Sequence, residues 1–132
     1  MKILVKAIIE IAGFPEEHVK NTMDMVMSKV AEEKGIKIIS KDVVEIEKIK
    51  EMWSTFSDME LEFEDINLLN DFCFNYMPSS IEIIDPNNLN MSSTDVSNLL
   101  NDLLARLHNF TMFLKNLQAE NMNLKRDLEK KG

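Results

Sequence analysis

A chain of 132 residues with 45% hydrophobic side chains is long enough for one domain plus an appendage, and too apolar to be disordered. Its formal net charge of −8 is concentrated: residues 51–90 hold nine acids and no Lys or Arg, whereas residues 1–50 balance nine acids with nine bases. That acidic block argues against a nucleic-acid partner, because neutralising a phosphate backbone takes a basic patch.

The single cysteine, Cys73, excludes an intramolecular disulfide and suits a reducing compartment, so a cytoplasmic location is expected. Lys6 and Glu10 interrupt the apolar stretch of residues 3–11, and no run approaches the roughly 18 apolar residues of a membrane span. Neither a signal peptide nor a membrane partner is therefore expected.

Residues 2–11 alternate as a strand does, with Ile3, Val5, Ala7, Ile9 and Ile11 on one face and Lys2, Leu4, Lys6, Ile8 and Glu10 on the other. Gly13 turns the chain. Pro15 suits a first helical position, and Glu16 and Glu17 favour a helix N-terminus. The helix is expected to reach about residue 34, with Val19, Met23, Val26, Met27 and Val30 on its apolar face and Gly35 stopping it.

Residues 36–47 predict a second strand with less regular alternation. Residues 48–56 fit a bend, a short helical turn or the start of the next strand. Residues 58–64 alternate most clearly: Met59, Leu61 and Phe63 against Asp58, Glu60, Glu62 and Glu64. Asp65 suits the N-cap of a second helix whose apolar side is Ile66, Leu69, Phe72, Cys73 and Tyr76. Residues 81–84 predict a fourth strand, and Asp85-Pro86-Asn87-Asn88 a turn. Ser92, with Asp95 three residues on, forms the start of a long helix.

The order β-α-β-β-α-β is the split β-α-β of the ferredoxin-like fold, in the α+β class. In that topology the first and third strands pair centrally and antiparallel, with both helices on one face. Lys2 and Lys6 would then lie beside the Asp58–Glu64 carboxylates and relieve part of their repulsion. The expected organisation is a ferredoxin-like domain over residues 1–85, a linker over residues 86–91 and a coiled-coil oligomerisation helix over residues 92–131.

Over residues 1–85, in topology only, this order resembles small regulatory modules of the ACT and RAM types. Gly13, followed by Phe14, Pro15 and Glu16, stands at the turn after the first strand, where those modules carry Gly and Asp. The resemblance implies dimerisation through strands or helices and a small effector bound between subunits, here near residues 13–18. A small-molecule sensor is the alternative function on this ground.

The long helix carries the clearest pattern. Leu100, Leu107, Leu114, Asn121 and Leu128 fall at heptad position a, and Val96, Leu103, Phe110, Leu117 and Leu124 at d, in unbroken steps of four and three. Asn121 is the one polar residue of the seam. A buried amide seeks a second amide across the seam and thereby fixes register. Glu120 at g and Lys125 at the next e would face each other in a parallel pair; an antiparallel pair, or a helix folded back on its own domain, is the alternative. Leu rather than a β-branched residue at a leaves a trimer open beside a dimer. From residue 99 to residue 113 the stripe widens through Leu99, Leu104, Met112 and Phe113, so this half is expected to pack on the globular part as well; after Lys115 it narrows to the strict seam.

No catalytic chemistry stands out. Cys73 sits between Phe72 and Phe74 with no cation close in sequence, as a core thiol does. His18 and His108 are 90 residues apart and carry no metal-ligand spacing. Three glycines, Gly13, Gly35 and Gly132, make no phosphate-cradling loop. Neither an enzyme, a cofactor nor a metal is expected. The preferred reading is a homodimeric scaffold whose Asp58, Glu60, Glu62 and Glu64 dock a basic protein.

Overall fold

Alternation along the first strand decides how the layers stack. In β1 (Ile3–Gly13) the side chains of Ile3, Val5, Ala7 and Ile9 are buried, while Lys6 and Glu10 are exposed on the opposite face. The computed structural model describes residues 2–131. After β1 come α1 (Glu16–Glu32), β2 (Ile36–Val43), β3 (Glu47–Ile49), β4 (Met52–Phe63), α2 (Ile66–Tyr76), β5 (Ser80–Asp85) and α3 (Ser93–Lys131). The chain divides after Asn90 into two compact units, with residues from Met91 onward forming the second.

The first unit holds a five-stranded sheet in the order β2-β4-β1-β5, with β3 also paired to β4; all pairings are antiparallel. β1 and β4 are central and run in register from Ile3 opposite Phe63 to Gly13 opposite Trp53. The core lies between the sheet's inner face and two helices. Ile3, Val5, Ala7, Ile9, Met59, Leu61 and Phe63 meet Met23, Met27 and Val30 of α1 and Leu69 and Phe72 of α2. The Phe72 ring meets Phe63 edge-on, 5.4 Å between centroids.

Several boundaries differ from those expected. Pro15 is the N-cap of α1 rather than its first helical residue, because its ψ of 177° is extended; its carbonyl accepts from the Val19 N–H at 3.2 Å. α1 ends at Glu32, since Glu33 is extended and its N–H turns back to the Val30 carbonyl. Gly35, at φ +82°, turns the chain into β2. A Cβ there would stand 2.5 Å from Leu68 Cδ1, so both the dihedral and the space call for glycine.

β2 stops at Val43, short of the expected residue 47, and bulges between Ile38 and Ser40, which accounts for its irregular alternation. The ambiguous residues 48–56 form most of a hairpin: β3, a two-residue turn with Lys50 at φ 59°, and the beginning of β4. The strand expected over residues 58–64 is thus the second half of a strand of 12 residues.

Caps tie the helices down. Asp65 caps α2 as expected, its carboxylate accepting from the Leu68 N–H at 2.9 Å. Ser92 Oγ accepts from the Asp95 N–H at 3.1 Å at the head of α3. The end of α2 is joined to the end of α1: the Tyr76 hydroxyl donates to Glu33 Oε1 at 2.8 Å. Burial, then the Glu33 hydrogen bond and charge, push the Tyr76 phenol from 10.0 up to about 12.

This shift has a sign. Between these values the folded chain keeps a proton that the unfolded chain has lost. The Tyr76 contribution is therefore whole below pH 10 and disappears as pH rises towards 12. Tyr76 is the only tyrosine, so ultraviolet titration of phenolate reads it alone. The expected midpoint is about 12 in the native protein, falling part of the way back towards 10 in Glu33→Gln because burial remains.

Candidate functional site

The outer face of the sheet, away from α1 and α2, carries the carboxylates that the sequence points to. Three of the four, Asp58, Glu60 and Glu62, project from β4. Glu64 lies one residue past the strand's end, where its N–H donates to the Gly35 carbonyl at 3.0 Å. Register then determines what each acid meets. Glu62 is opposite Lys37 of β2, and Lys2 Nζ reaches its Oε1 at 3.4 Å. Glu60 is opposite Lys6 of β1, which is also opposite Glu82 of β5. Glu62 and Glu64 line a shallow hollow of about 230 Å³ with Lys2 and Lys37.

Asp58 differs from its neighbours. It stands between Ile8 of β1 and Asp42 of β2, so two carboxylates lie directly across from each other. Directly opposed like charges destabilise a sheet. Asp42, Lys37 and Glu82 had not been singled out in the sequence. Asp42 reaches this face through the bulge at Ile38 and Ser40, a shift that residue alternation does not announce. Glu82, between Ile81 and Ile83, was legible from alternation alone.

The seam residues lie on α3, a helix of 39 residues spanning about 58 Å. Val96, Leu100, Leu107, Phe110, Leu114, Leu117, Leu124 and Leu128 are all exposed in the single chain; Leu100 is 52% and Leu128 70% accessible. Asn121 is also exposed, and Leu103 is partly buried. Off the seam, Leu104, Met112, Phe113 and Met122 are exposed too. Arg106 Nε pairs with Asp102 Oδ2 one turn earlier at 3.1 Å.

The remaining chemistry-bearing residues are spread apart. Cys73 is partly buried against the core, and burial raises its thiol pKa, the opposite of what activates a nucleophile. His18 is exposed in the first turn of α1, where its carbonyl accepts from Thr22 Oγ1 at 2.7 Å. His108 is exposed on α3. Among the described residues, no group of three or more His, Cys, Asp or Glu is placed to hold a metal ion. A cavity of about 370 Å³ opens between α1 and the segment after β2, lined by Glu16, Lys20, Met23, Asp24, residues 43–46 and Thr55. No helix among the described residues is long and apolar enough to cross a membrane.

The Asp42–Asp58 pair makes a direct test of this register. Asp58→Asn should raise stability by about 0.2–1 kcal/mol, with less gain from added salt than in the parent chain. Glu60→Gln, which takes one of the two facing carboxylates from Lys6, should move stability the other way. Urea unfolding at low and high salt reads both.

Neither the curated proteins nor the solved structures compared with this chain gave a match. One family profile does, over residues 4–132 and thus across both the sheet unit and α3. The chain belongs to the MJ0538 family.

Proposed function

We propose that this protein is a non-catalytic adaptor of the cytoplasm. Copies pair through a parallel coiled coil of α3, and the sheet unit offers Asp58, Glu60, Glu62 and Glu64 to a basic partner protein. The reading of the sheet unit as ferredoxin-like is supported by its strand order, with β3 as an addition beside β4.

The observation that carries the proposal is the seam itself: an a and d series, apolar but for Asn121, on a helix of 39 residues, with every apolar side chain except Leu103 exposed in one chain. Soluble monomers rarely expose a contiguous apolar patch beyond a few hundred Å². Asn121 supports in-register pairing. The Glu120 and Lys125 positions support parallel orientation, although such an exposed pair adds only a few tenths of a kcal/mol.

Light scattering on the full chain and on a truncation ending at Asn90 tests the assembly. A dimeric full chain and a monomeric truncation support the adaptor; a monomeric full chain overturns it. Asn121→Leu should raise the melting temperature of the dimer and broaden its stoichiometry towards trimers, as sedimentation would record. Unchanged stability and stoichiometry would remove Asn121 from the interface.

The cavity beside α1 favours a second reading, a small-molecule sensor of the ACT and RAM kind. Its volume lies within the roughly 300–1,000 Å³ of ligand pockets, and Glu16 of its lining falls in the stretch the resemblance points to. On this reading one of a panel of amino acids, nucleotides and divalent cations raises the melting temperature, and Glu16→Ala abolishes the rise. No shift across the panel counts against it.

A further inference from the structure

β5 is the end strand of the sheet: β1 pairs one side of it, and among the described residues no strand pairs the other. The opposite end of the sheet carries the usual protections against a further strand. β2 has Lys37, Lys41 and a bulge. β5 reads Ser-Ile-Glu-Ile-Ile-Asp, with no lysine and no internal proline, and its register shift lies only at its last residues, opposite Leu4 and Val5. Up to that point no strand among the described residues pairs its far edge.

Rows across the sheet specify what would fit there. On the outer face one row runs Glu60, Lys6, Glu82, alternating in sign from β4 through β1 to β5. The next place in that row calls for a cation. On the inner face, Leu61 and Val5 are fully buried, whereas Ile83 in the same row is only partly so. Ile81 likewise ends the row of Met59 and Ala7 half-covered. Places beside Ile81 and Ile83 call for apolar side chains.

A second copy of β5 would not answer this pattern, because it brings another Glu82 and Asp85 onto one short ladder. Lys6 is the one cation registered to β5, and it already faces Glu60.

We propose that the free edge of β5 takes up an extended segment of a partner protein as a sixth strand, with a Lys or Arg opposite Glu82 and apolar residues on either side of it. This goes beyond docking on the face of Asp58, Glu60, Glu62 and Glu64: it assigns the sheet unit a second, separate surface on β5. It names the mode of binding, strand addition, in which backbone hydrogen bonds give affinity and alternate side chains give specificity.

The test uses the full chain and two capped peptides, Thr-Val-Lys-Val-Thr and Thr-Val-Glu-Val-Thr, with amide hydrogen exchange followed residue by residue. The Lys peptide is expected to slow exchange along β5, and the Glu peptide to leave it unchanged. Glu82→Gln should weaken the Lys peptide by up to about fivefold, and Glu82→Lys should transfer the preference to the Glu peptide. Unchanged exchange along β5 with the Lys peptide present overturns the proposal. If that peptide instead acts on residues 58–62 and Asp58→Lys abolishes its effect, the edge is overturned and docking on the face stands. If it acts on neither, the edge is overturned.

Discussion

The pairing of β1 with β4 is the constraint on which the sheet unit depends. β4 is opposite β1 over that strand's full length and also holds β2 and β3 on its other side. Because side chains alternate strictly, that single register sends Met59, Leu61 and Phe63 under the helices and Asp58, Glu60 and Glu62 to the outside. A slip of one residue would bury the carboxylates and expose the core, a cost of many kcal/mol. The acidic face is thus the necessary counterpart of the core, presented on a rigid element rather than on a loop.

A row of carboxylates on one strand is unfavourable unless its neighbours compensate. Lys6 and Lys37 are opposite Glu60 and Glu62, and Lys2 reaches Glu62 as well. These three lysines come from the balanced first third of the chain, so the uneven charge distribution in sequence becomes a partly interleaved one in space. At Asp58 the compensation fails, for Asp42 is the residue opposite. Local rules of this kind are broken at functional or strained sites. On the adaptor reading, a cation from the partner belongs between Asp42 and Asp58.

The legible parts of this fold were those where one periodicity ruled. β1 and residues 58–63 alternate cleanly because one side faces the core, and α1 shows Val19, Met23, Met27 and Val30 at helical spacing for the same reason. The first half of β4 was illegible because its polarity is inverted. Thr55 and Ser57 are buried on the inner face, satisfied by the Val44 carbonyl at 2.6 Å and by Met27 Sδ at 3.3 Å, while Phe56 is exposed on the outer face. Alternation assumes that polar residues face water, and here side-chain hydrogen bonds replace that water. The three residues of β3 are exposed and too short for any period to show. The bulge in β2 escaped for a related reason, since one added residue carries Asp42 onto the outer face without changing composition.

The two units answer each other's weakness on the adaptor reading. Contacts made by exposed carboxylates are individually small, about 0–1 kcal/mol each, and weaken with salt. One sheet face would hold a basic partner only loosely. Two faces tethered by paired α3 helices convert the second contact into an intramolecular one, which can raise avidity by about 10²–10⁴ with no new chemistry at the face. That gain requires a defined pairing, because a tether of indefinite register gives no fixed spacing between the two faces. Asn121 is the only polar residue among ten seam positions, and a buried amide there lowers stability relative to Leu. On that reading an apolar residue would hold the helices more strongly and specify their alignment less, so an amide suits a helix that sets geometry as well as holding two copies together.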